Sequence, residues 1–390
     1  MKNIGIITST RAEYGLLYPL IKSLRTYESS ELKISLIVTG THLSAKYGMT
    51  ISEIIASGQR IDEIVSVRVD SKSAIDVAKN QASTVIEFTK LFCKEKYDAI
   101  CILGDRYEIQ MVAIAATNTE IPIFHLCGGD TTEGAVDESI RHSITKMSYL
   151  HFVTNEISKR RVIQLGEDPS RVYNVGSTSV DNILRMELMQ KGEVLQAINL
   201  ENCEYALCTY HPTTLNNQKV EEDIWAFIKA IEKHTELQFI VTKANADKGG
   251  EIINSILNRE EGKLANLHVY DSLGQIRYLS LMKYAKFVMG NSSSGIVEAP
   301  IFHVPAINIG DRQCGRLQAK DTINCGTTAR EIMNAIDKVS SVSGGKGSAD
   351  LTTPYGDGNA AERMTEIILR RIQEPIVLKK KFWDLKWEES

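Results

Sequence analysis

Apolar runs bounded by turn residues alternate with amphipathic stretches through the first half of the chain. Residues 4–8, 33–39, 98–103, 121–125 and 149–153 read as strands, while 16–25, 74–94, 107–117 and 157–165 carry the wider apolar spacing of helices. Strands that stay apolar along their length, with a helix between each pair, predict a parallel sheet wrapped by helices. The rhythm resumes with strands at 205–209, 238–242, 267–270, 287–289 and 306–309, separated by helices at 220–233, 250–259 and 273–284. The expectation is an α/β protein of two Rossmann-like domains, 1–176 and 177–390. A stretch rich in serine and glycine, 340–358, reads as a mobile surface loop. The amphipathic stretch 360–372 after it reads as a helix of the second domain that can pack back on the first.

Composition supports two cores, because 390 residues with 43% hydrophobic content exceed what one core usually organises. The net charge of −4 arises from mixed charges, so the basic footprint of a nucleic-acid binder is missing. Met1-Lys2-Asn3 leads directly into an apolar strand, with no leader pattern and no bilayer-length run, which predicts a cytoplasmic protein with no membrane partner. The seven cysteines are scattered without paired spacing, which argues against a zinc knuckle or a disulfide framework. The eight histidines form no tight ligand motif either, and no metal is expected.

Ligands of open parallel sheets bind at the carboxyl ends of the strands, so the candidate chemistry is sought there. Thr8-Ser9-Thr10-Arg11-Ala12-Glu13-Tyr14-Gly15 occupies the first strand-to-helix turn but lacks two glycines of the G-x-G-x-x-G of nicotinamide enzymes. Arg11 there is placed to grip a diphosphate by paired hydrogen bonds; a surface arginine beside a helix start fits the position as well. Leu103-Gly104-Asp105-Arg106 ends an apolar strand, which makes Asp105 either a proton carrier or the cap of the next helix. His125-Leu126-Cys127-Gly128-Gly129-Asp130 closes the following strand, where the two glycines admit a ligand to the backbone or simply make a turn.

Asp137-Glu138-Ser139-Ile140-Arg141-His142-Ser143-Ile144-Thr145-Lys146 gathers acids, bases and hydroxyls on helical spacing, and Asp137 and Arg141 can pair at i,i+4. In the second half, His211 follows a strand and suits phosphate binding, proton transfer or a structural hydrogen bond. Asn245 and Asp247 end the next strand, where a turn is the alternative role. Gly290-Asn291-Ser292-Ser293-Ser294-Gly295 offers amides and hydroxyls to phosphate oxygens, or serines that cap a helix. Glu298 is available to accept ribose hydroxyls, and Arg312 to neutralise a diphosphate.

Seven motifs occur in one order along nearly the whole chain: Thr10 to Gly15, Gly104-Asp105-Arg106, Gly128-Gly129-Asp130, Asp137 to Ser143, His211-Pro212, Gly290 to Gly295 and Gly310-Asp311-Arg312-Gln313. In this the chain resembles the UDP-N-acetylglucosamine 2-epimerase family, specifically its hydrolysing branch, which releases N-acetylmannosamine for sialic-acid synthesis. The resemblance implies two Rossmann-like domains with parallel sheets facing across a cleft, the GT-B type, with the nucleotide held mainly by the second. It implies a small-molecule UDP-sugar substrate, no nicotinamide, no required metal, and a homo-oligomer, dimer or tetramer.

By motif position, Asp105 and Asp137 match the family's catalytic acids, His211 and Arg11 its diphosphate-side residues, and Ser292, Ser293, Glu298 and Arg312 its nucleotide-binding residues. Asp130 and His211 are further catalytic candidates, and Gly15, Glu138, Arg141, Asn245, Gly290, Ser294 and Gly295 complete the candidate substrate contacts. One departure stands out: many relatives have glutamate two residues after the strand-end histidine, where this chain has Cys127. A 2-epimerase of UDP-N,N′-diacetylbacillosamine and a glycosyltransferase on the same two-domain plan are the competing expectations.

Overall fold

The computed structural model describes residues 1–69, 73–131, 136–212, 219–244, 250–341 and 353–385. The chain divides into two compact units, Met1–Thr131 with Val136–Asn182 and Tyr355–Ser390, and Ile183–Pro354. The first unit is built on strands β1 (Lys2–Thr8), β2 (Leu32–Thr39), β3 (Glu63–Val65), β4 (Ala99–Leu103), β5 (Ile123–Leu126), β6 (Leu150–Val153) and β7 (Val172–Asn174). They form one parallel sheet in the order β3-β2-β1-β4-β5-β6-β7.

Alternation along these strands feeds two cores, because successive side chains point to opposite faces. Ala99, Cys101 and Leu103 of β4 join one cluster, while Ile100 and Ile102 join the other. Helices Ala74–Lys94, Tyr107–Asn118 and Val136–Met147 supply apolar residues to the second face. Helix Arg11–Arg25 covers the first face and starts where Thr10 caps it, its side chain accepting the Glu13 amide.

Helix Ala360–Gln373 packs in the same cluster through Met364, Ile368 and Ile372, so the chain's last helix belongs with the first sheet. Its amino end is fixed by the buried carboxylate of Asp181, which accepts the Ala360 and Ala361 amides at 3.0 and 2.7 Å. The sequence pattern placed the crossover at residue 176; the contacts place it after Asn182 and return Tyr355–Ser390 to the first unit. Of the stretch 340–358, residues 342–352 lie outside the described residues. At its far end Tyr355 is buried, and its carbonyl accepts the Ser177 amide.

The second unit carries β8 (Tyr205–Thr209), β9 (Gln238–Thr242), β10 (Leu267–Tyr270), β11 (Phe287–Gly290), β12 (Ala306–Ile309) and β13 (Thr322–Cys325). All are parallel, in the order β10-β9-β8-β11-β12-β13. Ala206 and Cys208 face one core, and Tyr205 and Leu207 the other. In each sheet the strand order reverses once, between β1 and β4 and between β8 and β11. Those are the points where the helices leave opposite faces and open a crevice at the strands' carboxyl ends.

Among the described residues no helix is long and apolar enough to cross a membrane.

Candidate functional site

The switch point of the first sheet gathers most of the acids singled out in the sequence. Asp105, after β4, is partly exposed, and its Oδ2 accepts Arg141 Nε at 2.9 Å and a second donor from Arg141 Nη2. The helix that follows is capped by Arg106 without a side-chain bond, so Asp105 does not serve as its cap. Arg141 is only 3% exposed, and its Nη1 donates to the Asp130 carbonyl at 2.6 Å and to Glu138 Oε2 at 2.9 Å. The other Glu138 oxygen accepts from His142 Nε2 at 3.0 Å.

The expected Asp137–Arg141 pair is thus replaced. The guanidinium reaches Asp105 from the neighbouring strand end and Glu138 one position along its own helix, at i,i+3. Asp137 is exposed, yet its carboxyl sits above the ordinary carboxylate value. Desolvation is the main cause and the charge of Asp105 adds to it, while Arg106 and Arg141 oppose it. Asp130 uses its side chain structurally: Oδ1 accepts from Ser158 Oγ at 2.5 Å and Thr154 Oγ1 at 3.2 Å.

Three charged groups at this edge escaped the sequence reading. Glu13 and Glu108 are 5% and 2% exposed, and Arg106 lies against Glu108, its Nε 3.3 Å from Oε2. Glu13 accepts the Ser9 amide at 2.7 Å and the Ser9 hydroxyl at 2.8 Å, and burial pushes its carboxyl up to about 7. The spacing Thr10-x-x-Glu13 is a capping-box signal and was the clue available. Glu108 and Arg106 carried none beyond their nearness to Asp105.

Arg11 is exposed and pairs with Glu53 at 3.0 Å, a contact weak enough in water for a ligand to displace. A Cβ on Gly15 would meet nothing within 4 Å, so no protein atom requires glycine there. At Gly129 the reverse holds: φ is +80° and a Cβ would lie 2.3 Å from the Ser158 carbonyl oxygen. Cys127 has φ of 64°, a left-handed conformation uncommon for a residue with a side chain.

In the second unit the switch point is bridged by one side chain. Asn291, after β11, accepts the His211 amide at 2.7 Å and donates to the His211 carbonyl at 2.8 Å, which fixes the end of β8. The Asn291 carbonyl in turn accepts Arg312 Nη1 at 3.0 Å and Gln313 Nε2 at 2.9 Å. Gly290 has φ of +142°, and a Cβ there would come within 1.9 Å of the Thr209 carbonyl oxygen, so only glycine fits.

Ser292 caps the five-residue helix Ser293–Val297, and Ser294 shares a 2.7 Å hydrogen bond with the Tyr278 hydroxyl. The capping role is therefore real for Ser292, and Ser293 stands at the helix's first position with Gly295 buried two residues on. Burial pushes Glu298, just past this helix, up to about 7. Asn245 and Asp247 lie outside the described residues. Among the described residues, no group of three or more histidine, cysteine or acidic side chains is arranged to hold a metal ion.

Two doubly wound parallel sheets, each with its polar residues at the switch point, define a two-domain Rossmann-like protein of the kind seen in solved UDP-sugar 2-epimerases. The structure of UDP-GlcNAc 2-epimerase from Neisseria meningitidis bound to UDP-GlcNAc superposes with a TM-score of 0.80 at 17% identity, covering 95% of this chain and 100% of that one. The family model described as UDP-N-acetylglucosamine 2-epimerase matches residues 25–369, and the chain belongs to that family.

Two relatives are much nearer in sequence. The GDP/UDP-N,N′-diacetylbacillosamine 2-epimerase (hydrolyzing) of Campylobacter jejuni is 38% identical over 388 residues, 98% of this chain and 99% of that protein. Polysialic acid biosynthesis protein P7 of Escherichia coli is 38% identical over 342 residues, 86% of each.

Proposed function

We propose that this protein is a hydrolysing UDP-N-acetylglucosamine 2-epimerase, converting its substrate and water to N-acetylmannosamine and UDP. The reading rests on the acid–arginine cluster of Asp105, Arg141 and Glu138 at the first sheet's switch point, in a chain that belongs to this family. A carboxylate takes the proton from sugar C2 while the C1–oxygen bond to UDP breaks, giving a glycal-like alkene. Water then adds at C1, and C2 is reprotonated on the opposite face.

Asp137 suits the base, since its raised carboxyl lies nearer the working pH than an ordinary aspartate. Asp105, whose carboxylate lies against Arg141, favours cationic character developing at the anomeric carbon. Arg11, His211 and Arg312, with the amides around Ser292 and Ser293, receive the departing diphosphate. Glu298 holds the ribose. The N-acetylmannosamine product suits sialic-acid synthesis, in keeping with the name of the Escherichia coli relative.

A second reading has its own support: the Campylobacter jejuni relative acts on a diacetylbacillosamine nucleotide. Proton NMR of the purified protein with each UDP-sugar in deuterated water separates the two. Release of UDP and free N-acetylmannosamine carrying deuterium at C2 is the expected result. Turnover of the bacillosamine nucleotide alone favours the second reading, and unlabelled N-acetylglucosamine would sink both.

A further inference from the structure

Residues 379–383 form a strap that fastens to the helix bearing the acid cluster. Beyond helix Ala360–Gln373 lies the run Lys379-Lys380-Lys381, whose middle lysine turns inward. Its Nζ donates to the carbonyls of Lys146 and Ser148 at 2.9 and 2.7 Å and to Glu167 Oε2 at 2.8 Å. The two carbonyls belong to the carboxyl end of helix Val136–Met147 and the turn after it, where a helix has acceptors without partners and favours a cation.

Glu167 is 2% exposed and also accepts from Lys146 Nζ at 2.6 Å and from the buried His151 Nε2 at 3.1 Å. These donors hold its carboxyl well below the ordinary value despite burial. Two residues past Lys380, the Phe382 ring fills the space over Gly166, where a Cβ would come within 2.3 Å of it. The Lys146 ammonium sits 5.1 Å from that ring's centre, and the Trp383 amide donates to the Gly166 carbonyl at 2.9 Å.

Arg141 and the strap act on a helix also held by Gln110 Nε2, which donates to Ser143 Oγ at 2.7 Å, and by the buried Ile140 and Ile144. Arg141 ties its middle to Asp105 and to the Asp130 carbonyl, and the strap ties its end. Without the strap its carboxyl end keeps, of these polar ties, only the Lys146–Glu167 pair, and a tilt of the loosened helix about Arg141 shifts Asp137 and Glu138. We propose that Lys380 is a positioning residue for the catalytic helix, acting through the Lys146 and Ser148 carbonyls and Glu167. This deepens the 2-epimerase reading and rests on it.

The test is Lys380→Met in the full chain, with Lys380→Arg as the conservative variant. Glu167 keeps Lys146 and His151 in the Met variant, so no buried carboxylate is stranded. Well below its melting temperature, Lys380→Met is expected to lose roughly tenfold or more in kcat, because small displacements of catalytic groups are costly. KM and UDP affinity should stay within about twofold, as only the acid cluster is displaced. Amide hydrogen exchange should quicken at the end of helix Val136–Met147 and not throughout the unit, and Lys380→Arg should restore both.

A kcat that is unchanged, or that falls only with the unfolded fraction, would overturn the proposal, as would unaltered exchange at the helix end. Should Lys380→Met not fold, Phe382→Ala loosens the strap while removing none of the three donors to Glu167, and the same readouts decide. If the unmodified protein releases UDP from no UDP-sugar, the proposed function fails, whereas the exchange measurement still decides the tether.

Discussion

Arg141 and Asp105, 36 positions apart in sequence, meet with two guanidinium nitrogens on a single carboxylate oxygen, Oδ2. Among the described residues no protein donor reaches the other oxygen, Oδ1, on a side chain that is 29% exposed. One oxygen is therefore spent on orientation while the other faces no protein donor among the described residues. The buried guanidinium also spans Glu138, so a single arginine sets the spacing between two carboxylates.

Asp105→Asn and Asp137→Asn are expected to keep UDP affinity and to lose on the order of 10²–10⁴ in turnover, the usual share of a positioned acid or base. Arg141→Lys should lose turnover as well, since a lysine cannot reproduce the fork that serves both acids. Steady-state rates beside calorimetric UDP titration separate chemistry from binding. Normal turnover in both aspartate variants would show that the acids are wrongly assigned.

The proposed ribose contact of Glu298 predicts a pH dependence of UDP binding. To accept two ribose hydroxyls the carboxyl must be ionised, and burial has pushed it up to about 7. Affinity should therefore rise as pH increases toward 7, by up to about tenfold per unit, and level off above. Glu298→Gln should bind more weakly and lose that part of the slope, leaving only what the phosphate contributes. Parallel slopes in the two proteins would remove Glu298 from the ribose site.

Glu13 makes an opposite demand on the fold. Its carboxyl is raised, so between the ordinary carboxylate value and about 7 the folded state holds a proton that the unfolded chain has lost. Stability should fall as pH rises through that window, by about 3 kcal/mol if the full shift is expressed. Glu13→Gln, which cannot ionise, should show a smaller loss between pH 5 and pH 8 in urea unfolding. An identical pH dependence in the two proteins would refute the assignment.

What the sequence pattern reveals depends on whether burial and apolarity coincide. Ile100 and Ile102 mark β4 because a central parallel strand is buried on both faces. β3, β7 and β13 left no such mark: each forms an edge of its sheet, is three or four residues long, and contains polar residues such as Glu63, Asn174 and Asn324. The same reasoning explains the site. Asp105 stands at a strand end and Ser292 at a helix start, while Arg141 is marked by its helical spacing among acids and Glu298 by its nearness to the serine-rich turn. Glu13, Glu108 and Lys380 are charged residues at inward-facing positions: Glu13 and Glu108 meet the nearby Ser9 and Arg106 only because the strand ends turn there, and Lys380 meets Glu167, 213 positions away.

At Cys127, where the family resemblance leads one to expect glutamate, the surroundings argue against a carboxylate's work. Burial pushes the thiol up to about 12, the charges of Asp130 and Asp105 adding to the effect and Arg141 opposing it. At neutral pH it is a thiol, without the thiolate that a base or nucleophile needs. Its backbone is left-handed and its amide donates to the Phe152 carbonyl at 2.8 Å, which turns the chain from β5 toward Gly128. Cys127→Ser preserves that turn and nearly the same volume, so activity within about threefold of the parent is expected, a change of under 1 kcal/mol in barrier. The exposed Cys93 and Cys314 should react with iodoacetamide at pH 8 well before Cys127, as peptide mapping would show. If Cys127→Ser instead loses deuterium incorporation at C2 while fold and UDP affinity remain intact, the thiol takes part in the chemistry and the acid cluster alone does not suffice.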